Sequence, residues 1–141
     1  MAYKIFTAGK MGGLEYHEQM AWRLELEQEL AKRANCKITF IHPPAFYDYD
    51  YPDQNEAKKW ELSQLSQSDI VVFNLSDINT SIGTIMELAT VYALNRFSGK
   101  NIYAIGIGKP NTEHPWITSG LFNRFDTVQN AAEYINEYLL N

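Results

Sequence analysis

The sequence predicts an α/β protein, a three-layer sandwich around a mainly parallel five-stranded sheet. Three observations carry that expectation. Short apolar runs alternate with helical stretches along the whole chain; one run, Asp69 to Leu75, is almost continuously apolar; and the segments recur at the spacing of βαβ units with right-handed crossovers. The 141 residues fall at common domain length, so a single domain over 1–141 is expected.

Tyr3 to Ala8 reads as the first strand and runs into the glycine turn Gly9-Lys10-Met11-Gly12-Gly13. Leu14 to Ala34 follows a helical period, with Tyr16, Met20, Leu24, Leu30, Ala31 and Ala34 as its apolar face and Arg, Glu and Gln filling most of the rest. Glu27 interrupts that stripe. Lys37 to Ile41 is a second strand, ended by His42-Pro43-Pro44 because proline lacks the ladder donor. Phe46 to Asn55 then carries four aromatics and three aspartates, a density of stacking surface and acceptors unusual for a connector.

Glu56 to Gln67 is a second helix with Trp60, Leu62 and Leu65 as apolar positions, and it feeds the central strand Asp69 to Leu75. Ile82 to Asn95 is apolar almost all round and is expected to be buried. Asn101 to Ile107 makes a fourth strand, Gly106 to Pro110 turns the chain, His114-Pro115-Trp116 opens a short helix, Arg124 to Val128 is a weak fifth strand and Ala131 to Leu140 closes the chain. Ligands of an open α/β sheet bind beyond the carboxyl ends of its strands, which groups Gly9 to Gly13, His42 to Tyr51 and Ser76 to Thr84 around one cleft.

Composition narrows the function. The chain is 45% hydrophobic and 13% aromatic, as folded domains are, and its net charge of −5, from 12 Lys and Arg against 17 Asp and Glu, removes the footprint that nucleic-acid backbones require. No run approaches the ~20 apolar residues of a membrane span, and Met1 to Gly13 lacks a basic region followed by an apolar run, so a cytoplasmic protein is expected. A single cysteine, Cys36, and the scattered His17, His42 and His114 exclude an intrachain disulfide and a zinc cluster. The three histidines and the tryptophans Trp60 and Trp116 are expected in packing roles.

Glu87 is the sharpest chemical feature. Between Asp77 and Arg96 it is the sole charge, set within Ile85-Met86-Glu87-Leu88-Ala89 on the apolar helix. A lone buried carboxylate is costly, so it asks for a functional role or for a cation or solvent contact elsewhere in the fold. Ser81-Ile82-Gly83-Thr84 stands at the start of that helix, where hydroxyls and free amides cap the helix or hold an anion. The glycine turn fits neither the dinucleotide nor the P-loop spacing, which disfavours NAD and ATP, and no cofactor or metal is expected. Glu61 could aim a second carboxylate at the same cleft. A Ser-His-Asp triad lacks its Gly-x-Ser-x-Gly elbow.

These elements resemble the nucleoside 2-deoxyribosyltransferase family, with its related deoxynucleoside 5′-monophosphate N-hydrolases, over nearly the whole chain. The resemblance rests on Ile5-Phe6-Thr7-Ala8-Gly9 with Met11-Gly12-Gly13, on Glu61-Leu62 ahead of Ser68-Asp69-Ile70-Val71-Val72, and on Ser81-Ile82-Gly83-Thr84-Ile85-Met86-Glu87-Leu88. The Gly-x-x-x-Glu-Leu element is its most specific part. The resemblance implies a flavodoxin-like fold, a homo-oligomer of dimer size or higher, and small-molecule substrates: a nucleoside or nucleotide and a free base. It places the catalytic residues at Glu87, the nucleophile, and at Glu61, where the family has an Asp serving the leaving base. Substrate-binding positions are Phe6, Gly9, Lys10, Met11, Gly12, Pro44, Ser81 and Gly83.

Two positions depart from the family. Phe6 stands where the family often has a Tyr that hydrogen-bonds the nucleophile, and Glu61 is one methylene longer than the family Asp. Six residues before the nucleophile the transferases carry an acid and the monophosphate hydrolases a Ser; here it is Ser81. Cleavage of the N-glycosidic bond of 2′-deoxynucleosides or their 5′-monophosphates, through a glutamyl-deoxyribosyl intermediate passed to a base or to water, is the expected function. The alternative is a nucleotide-binding or sensing module without turnover, suggested by Phe6. A flavodoxin-like electron carrier is disfavoured, since no Ser/Thr-rich phosphate loop follows the first strand.

Overall fold

A computed structural model describes residues 2–46, 53–110 and 113–140, Gln54 by its backbone alone. Most of the aromatic and acidic segment after Phe46, singled out in the sequence as part of the cleft, lies outside the described residues. The sheet contains β1 (Ala2–Ala8), β2 (Lys37–Ile41), β3 (Ile70–Asn74), β4 (Tyr103–Ile107) and β5 (Asn123–Phe125). Every pairing is parallel and the spatial order is β2-β1-β3-β4-β5, so the chain reverses its direction of winding between β1 and β3. This is the flavodoxin-like order, whose ligand crevice opens at that reversal.

Helices cover both faces because the strands are apolar on both. Ile5, Ile70, Val72, Ile105 and Ile107 point to one side, where they meet Leu26 and Leu30 of α1 (Tyr16–Ala31) and Val128 and Ala131 of α6 (Val128–Tyr134). Their neighbours in sequence, Phe6, Val71, Phe73 and Ala104, point to the other. There they meet Leu65 of α3 (Gln54–Ser66), Leu88 and Val91 of α4 (Ile82–Phe97) and Ile117 of α5 (Pro115–Thr118). The short α2 (Pro43–Phe46) follows β2 directly, with Pro43 and Pro44 buried. Among the described residues no helix is long and apolar enough to cross a membrane.

Several sequence expectations are corrected by the packing. The buried face of α1 is Gln19, Met20, Arg23, Leu26 and Leu30, which includes the expected Met20 and Leu30, while Tyr16 and Leu24 are 46% and 44% exposed. The helix is therefore turned so that an arginine faces the interior. In α4 the expected all-round burial does not occur: Ile82, Met86 and Phe97 are exposed, and the buried face is Thr84, Glu87, Leu88 and Val91. α3 and α5 share that sheet face with α4, so only one side of α4 is needed against it. The fifth strand ends at Phe125 and Val128 belongs to the closing helix, because the Thr127 hydroxyl accepts the Asn130 N–H at 3.1 Å and starts α6 three residues early.

Candidate active site

Glu87 sits one and a half turns into α4, 7% exposed, with Oε2 buried and, among the described residues, without a hydrogen-bond partner. Glu61, on α3, reaches it from the facing helix and hydrogen-bonds its carboxyl group. Two carboxylates at that separation cannot both be ionised cheaply. Burial holds the Glu87 carboxyl well above the ordinary carboxylate range, the hydrogen bond and negative charge of Glu61 push it further, and the positive charge of Arg23 partly opposes the rise. The Glu87 carboxyl therefore holds its proton more tightly than an ordinary carboxyl group does.

The glycine turn after β1 forms one wall. A Cβ on Gly9 would stand 2.9 Å from Trp22 Cζ2 and 3.2 Å from Asn74 Cβ, so only glycine lets the backbone pass between α1 and the end of β3. Gly13 takes φ +80, the left-handed region that ends the turn before α1. Between them, Lys10 Nζ donates to Thr80 Oγ1 at 3.1 Å and bridges the turn to the loop before α4.

That loop supplies the opposite wall. Ser81 occupies the N-cap position of α4, but its hydroxyl is bonded to the Thr84 hydroxyl at 2.6 Å rather than to a backbone N–H, so it does not cap in the ordinary way. A cleft of about 400 Å³ lies between the walls, lined by Gly9, Lys10, Gly12, Ser81 and Gly83, with Glu61 and Glu87 at its base. A second, adjoining hollow of about 290 Å³ opens on the other side of the carboxylate pair, against Lys58, Leu62, Met86 and Thr90. Both sizes suit parts of a small metabolite.

Residues 2–104 match the family model described as nucleoside 2-deoxyribosyltransferase like. The chain belongs to that family. Among solved structures, the 2-deoxyribosyltransferase of Bacillus psychrosaccharolyticus superposes with a TM-score of 0.66 at 16% identity, covering 93% of this chain and 91% of that one. The likeness is one of fold. Francisella novicida lysine decarboxylase LdcF gives a TM-score of 0.49 at 14% identity, over 94% of this chain and 16% of its own. No curated protein sequence matches the chain at a significant level.

Within this deoxyribosyltransferase-like fold, Gly9, Lys10, Met11, Gly12, Glu61, Ser81, Gly83 and Glu87 all line one cleft, as a group assembled from the first turn, α3 and α4. Two expected members stand elsewhere. Phe6 is fully buried with Val71, Phe73 and Leu65 beneath the sheet's α3–α4 face, and does not line the cleft. Pro44 is buried in α2 and does not line it either. Strand alternation sends Phe6 into that apolar layer and its neighbour Thr7 to the other side.

The residue that sequence reasoning passed over is Arg23. Its guanidinium is fully buried, donating from Nε to Thr7 Oγ1 at 3.1 Å, from one terminal nitrogen to the Gly9 carbonyl at 3.3 Å and from the other to the Gln19 carbonyl. Burial lowers its pKa to about 10, against the opposing charges of Glu87 and Glu61, and it stays protonated near neutral pH. Its signal in the sequence was position: Arg23 lies on the same stripe as Leu26 and Leu30. Glu27, the unexplained interruption of α1, pairs with His42 at 2.9 Å. His42 in turn meets Thr7 Oγ1 at 2.8 Å through Nδ1.

Proposed function

We propose that the protein cleaves the N-glycosidic bond of 2′-deoxynucleosides or their 5′-monophosphates, with Glu87 as nucleophile. The observation that carries this reading is the buried Oε2 of Glu87, without a hydrogen-bond partner among the described residues, in the lining of a cleft and beside the carboxyl group of Glu61. A structural glutamate would have its oxygens satisfied.

The chemistry follows from the pair. The proton that burial holds on Glu87 moves to Glu61, which leaves Glu87 ionised. Its free oxygen attacks the anomeric carbon as the carbon–nitrogen bond breaks through an oxocarbenium-like transition state. The departing base takes the proton from Glu61, and a glutamyl-deoxyribosyl ester remains. Glu61, now a carboxylate, removes a proton from water or from the N–H of an incoming base. That nucleophile displaces Glu87, giving overall retention and restoring the starting protonation.

The cleft also supports an anionic end to the substrate. Lys10 and the hydroxyls of Thr80 and Ser81 converge at the start of α4, whose first N–H groups take no side-chain cap. A Cβ on Gly83 would meet no protein atom within 4 Å, so the space there is left for something other than packing. Ser81 in place of an acid favours a 5′-phosphate over a bare hydroxyl.

The deciding experiment is chromatographic detection of free base after incubation with the four deoxynucleosides and their 5′-monophosphates, with and without a second base. Mass spectrometry of the Glu87 peptide after quenching accompanies it. Base release from monophosphates with a deoxyribosyl adduct on Glu87 is expected. Exchange confined to samples with added base would make the protein a transferase. Nucleotide binding without base release would overturn the catalytic reading and favour the binding module.

A further inference from the structure

Arg23 is a buried cation whose hydrogen bonds among the described residues all go to neutral oxygens: Thr7 Oγ1 and the carbonyls of Gly9 and Gln19. A fully buried guanidinium that only held loop geometry would be an expensive choice, since desolvating a charge costs several kcal/mol and an amide or hydroxyl could make such bonds. The opposite charge it answers to is the carboxyl pair across the interior. The negative charges of Glu87 and Glu61 act on it, and its positive charge acts in return on Glu87.

Arg23 is itself held. A carboxylate can only accept, so His42 carries its ring proton on Nε2, facing Glu27 Oε2 at 2.9 Å. Burial holds the ring below its ordinary pKa, with the positive charge of Arg23 adding to the fall and Glu27 opposing it. The ring is therefore neutral near pH 7, and Nδ1 accepts from the Thr7 hydroxyl at 2.8 Å, a closer acceptor for its one proton than the Ile41 carbonyl at 3.3 Å. That leaves a Thr7 lone pair to receive Arg23 Nε–H at 3.1 Å. One chain of donors thus runs from Arg23 through Thr7 and His42 to Glu27, which is 43% exposed.

We propose that Arg23 is a positioning residue of this site: anchored by the Thr7–His42–Glu27 chain, it pins the Gly9 carbonyl and sets a fixed positive charge within reach of the Glu61–Glu87 pair. The proposal rests on the glutamate chemistry above and adds to it a reason why Glu87 can become a carboxylate in a buried place. The other cations near the pair are Lys10, from the turn after β1, and Lys58, on α3. Lys58 is exposed and Lys10 half-buried, so water screens both more than it screens Arg23.

The test compares the parent with Arg23→Met and Arg23→Lys by two readouts: carbon-13 carboxyl titration of the ligand-free protein, and the pH profile of base release. In Arg23→Met the midpoints of the pair are expected to rise by about one unit or more. The acidic limb of the activity profile should move up with them, and kcat should fall more than KM changes. Arg23→Lys should recover most of the midpoint shift but not the kcat, because an ammonium cannot span Thr7 and Gly9 together. Unmoved midpoints in folded Arg23→Met would overturn the proposal. If that variant does not fold, Thr7→Val carries the test: a smaller rise in the same direction supports the proposal and unmoved midpoints overturn it. Midpoint shifts in a protein that releases no base would instead sink the glycosidic reading and leave the electrostatic role of Arg23 standing.

Discussion

Helices α1 and α4 are opposites in composition and alike in what they bury. α1 is rich in Glu, Gln and Arg, and α4 is almost wholly apolar, yet each turns a charged residue inward: Arg23 from one and Glu87 from the other. Meanwhile Leu24 on α1 and Ile82, Met86 and Phe97 on α4 face outward. Burial follows the face that meets the sheet, whatever the average of the helix. A charge on such a face persists only with hydrogen bonds or a reactive purpose. Arg23 has the first, and Glu87 Oε2 lacks it.

The sharpest break of this comparison is Glu87→Gln. Its expected loss of base release is about 10³-fold or more, by analogy with removal of other covalent nucleophiles, with the fold retained. Quantified base release beside circular dichroism checks it; an active Glu87→Gln protein would make the buried carboxyl structural after all. Next in size is the register of α1. Leu26→Ala should destabilise by about 2–5 kcal/mol and Leu24→Ala by under about 0.5 kcal/mol, read from urea midpoints. Equal effects would contradict the observed rotation of the helix.

Gly83→Val tests the open face at the start of α4. With no atom within 4 Å of its Cβ, the variant should keep its stability to within about 1 kcal/mol while KM rises through the filled cleft. An unchanged KM would mean that substrate does not approach Gly83. A subtler effect is the pH dependence of stability. Glu87 has a folded pKa raised above the ordinary 4.5, so the folded chain holds a proton that the unfolded chain has lost. Its stabilising contribution is present below 4.5 and declines as pH rises toward the folded value, whereas Glu87→Gln should lack that decline in chemical-denaturation series. Smallest of all, Phe97→Ser should leave the dilute protein within about 0.5 kcal/mol of the parent, since its ring is 79% exposed.

Much of this was legible in the chain itself. The parallel sheet follows from the apolar runs at β1, β3 and β4, and the carboxylate at Glu87 stood out because nothing around it was charged. Arg23 was not legible in that way, because on a helix full of Arg and Glu one more charge carries no contrast. The role of Glu27 was equally hidden: its partner His42 is 15 residues away and meets it only once β2 lies beside β1. Phe6, expected at the cleft because it stands where the family has a Tyr, turns to the face of α3 and α4, where its ring packs with Val71, Phe73 and Leu65 rather than lining the hollow.

By itself, the sequence determined the order and type of the elements, the winding of an α/β sandwich and the candidates Glu87, Glu61 and the Gly9 to Gly13 turn, because periodicity and glycine placement are local properties of the chain. Only the tertiary structure decided which face of each helix turned inward, that Glu61 reaches the Glu87 carboxyl, and that Arg23 stands buried where their charges act on it. Those facts depend on charges and hydrogen bonds between groups far apart in sequence, whose strength is set by the low-dielectric interior that folding creates.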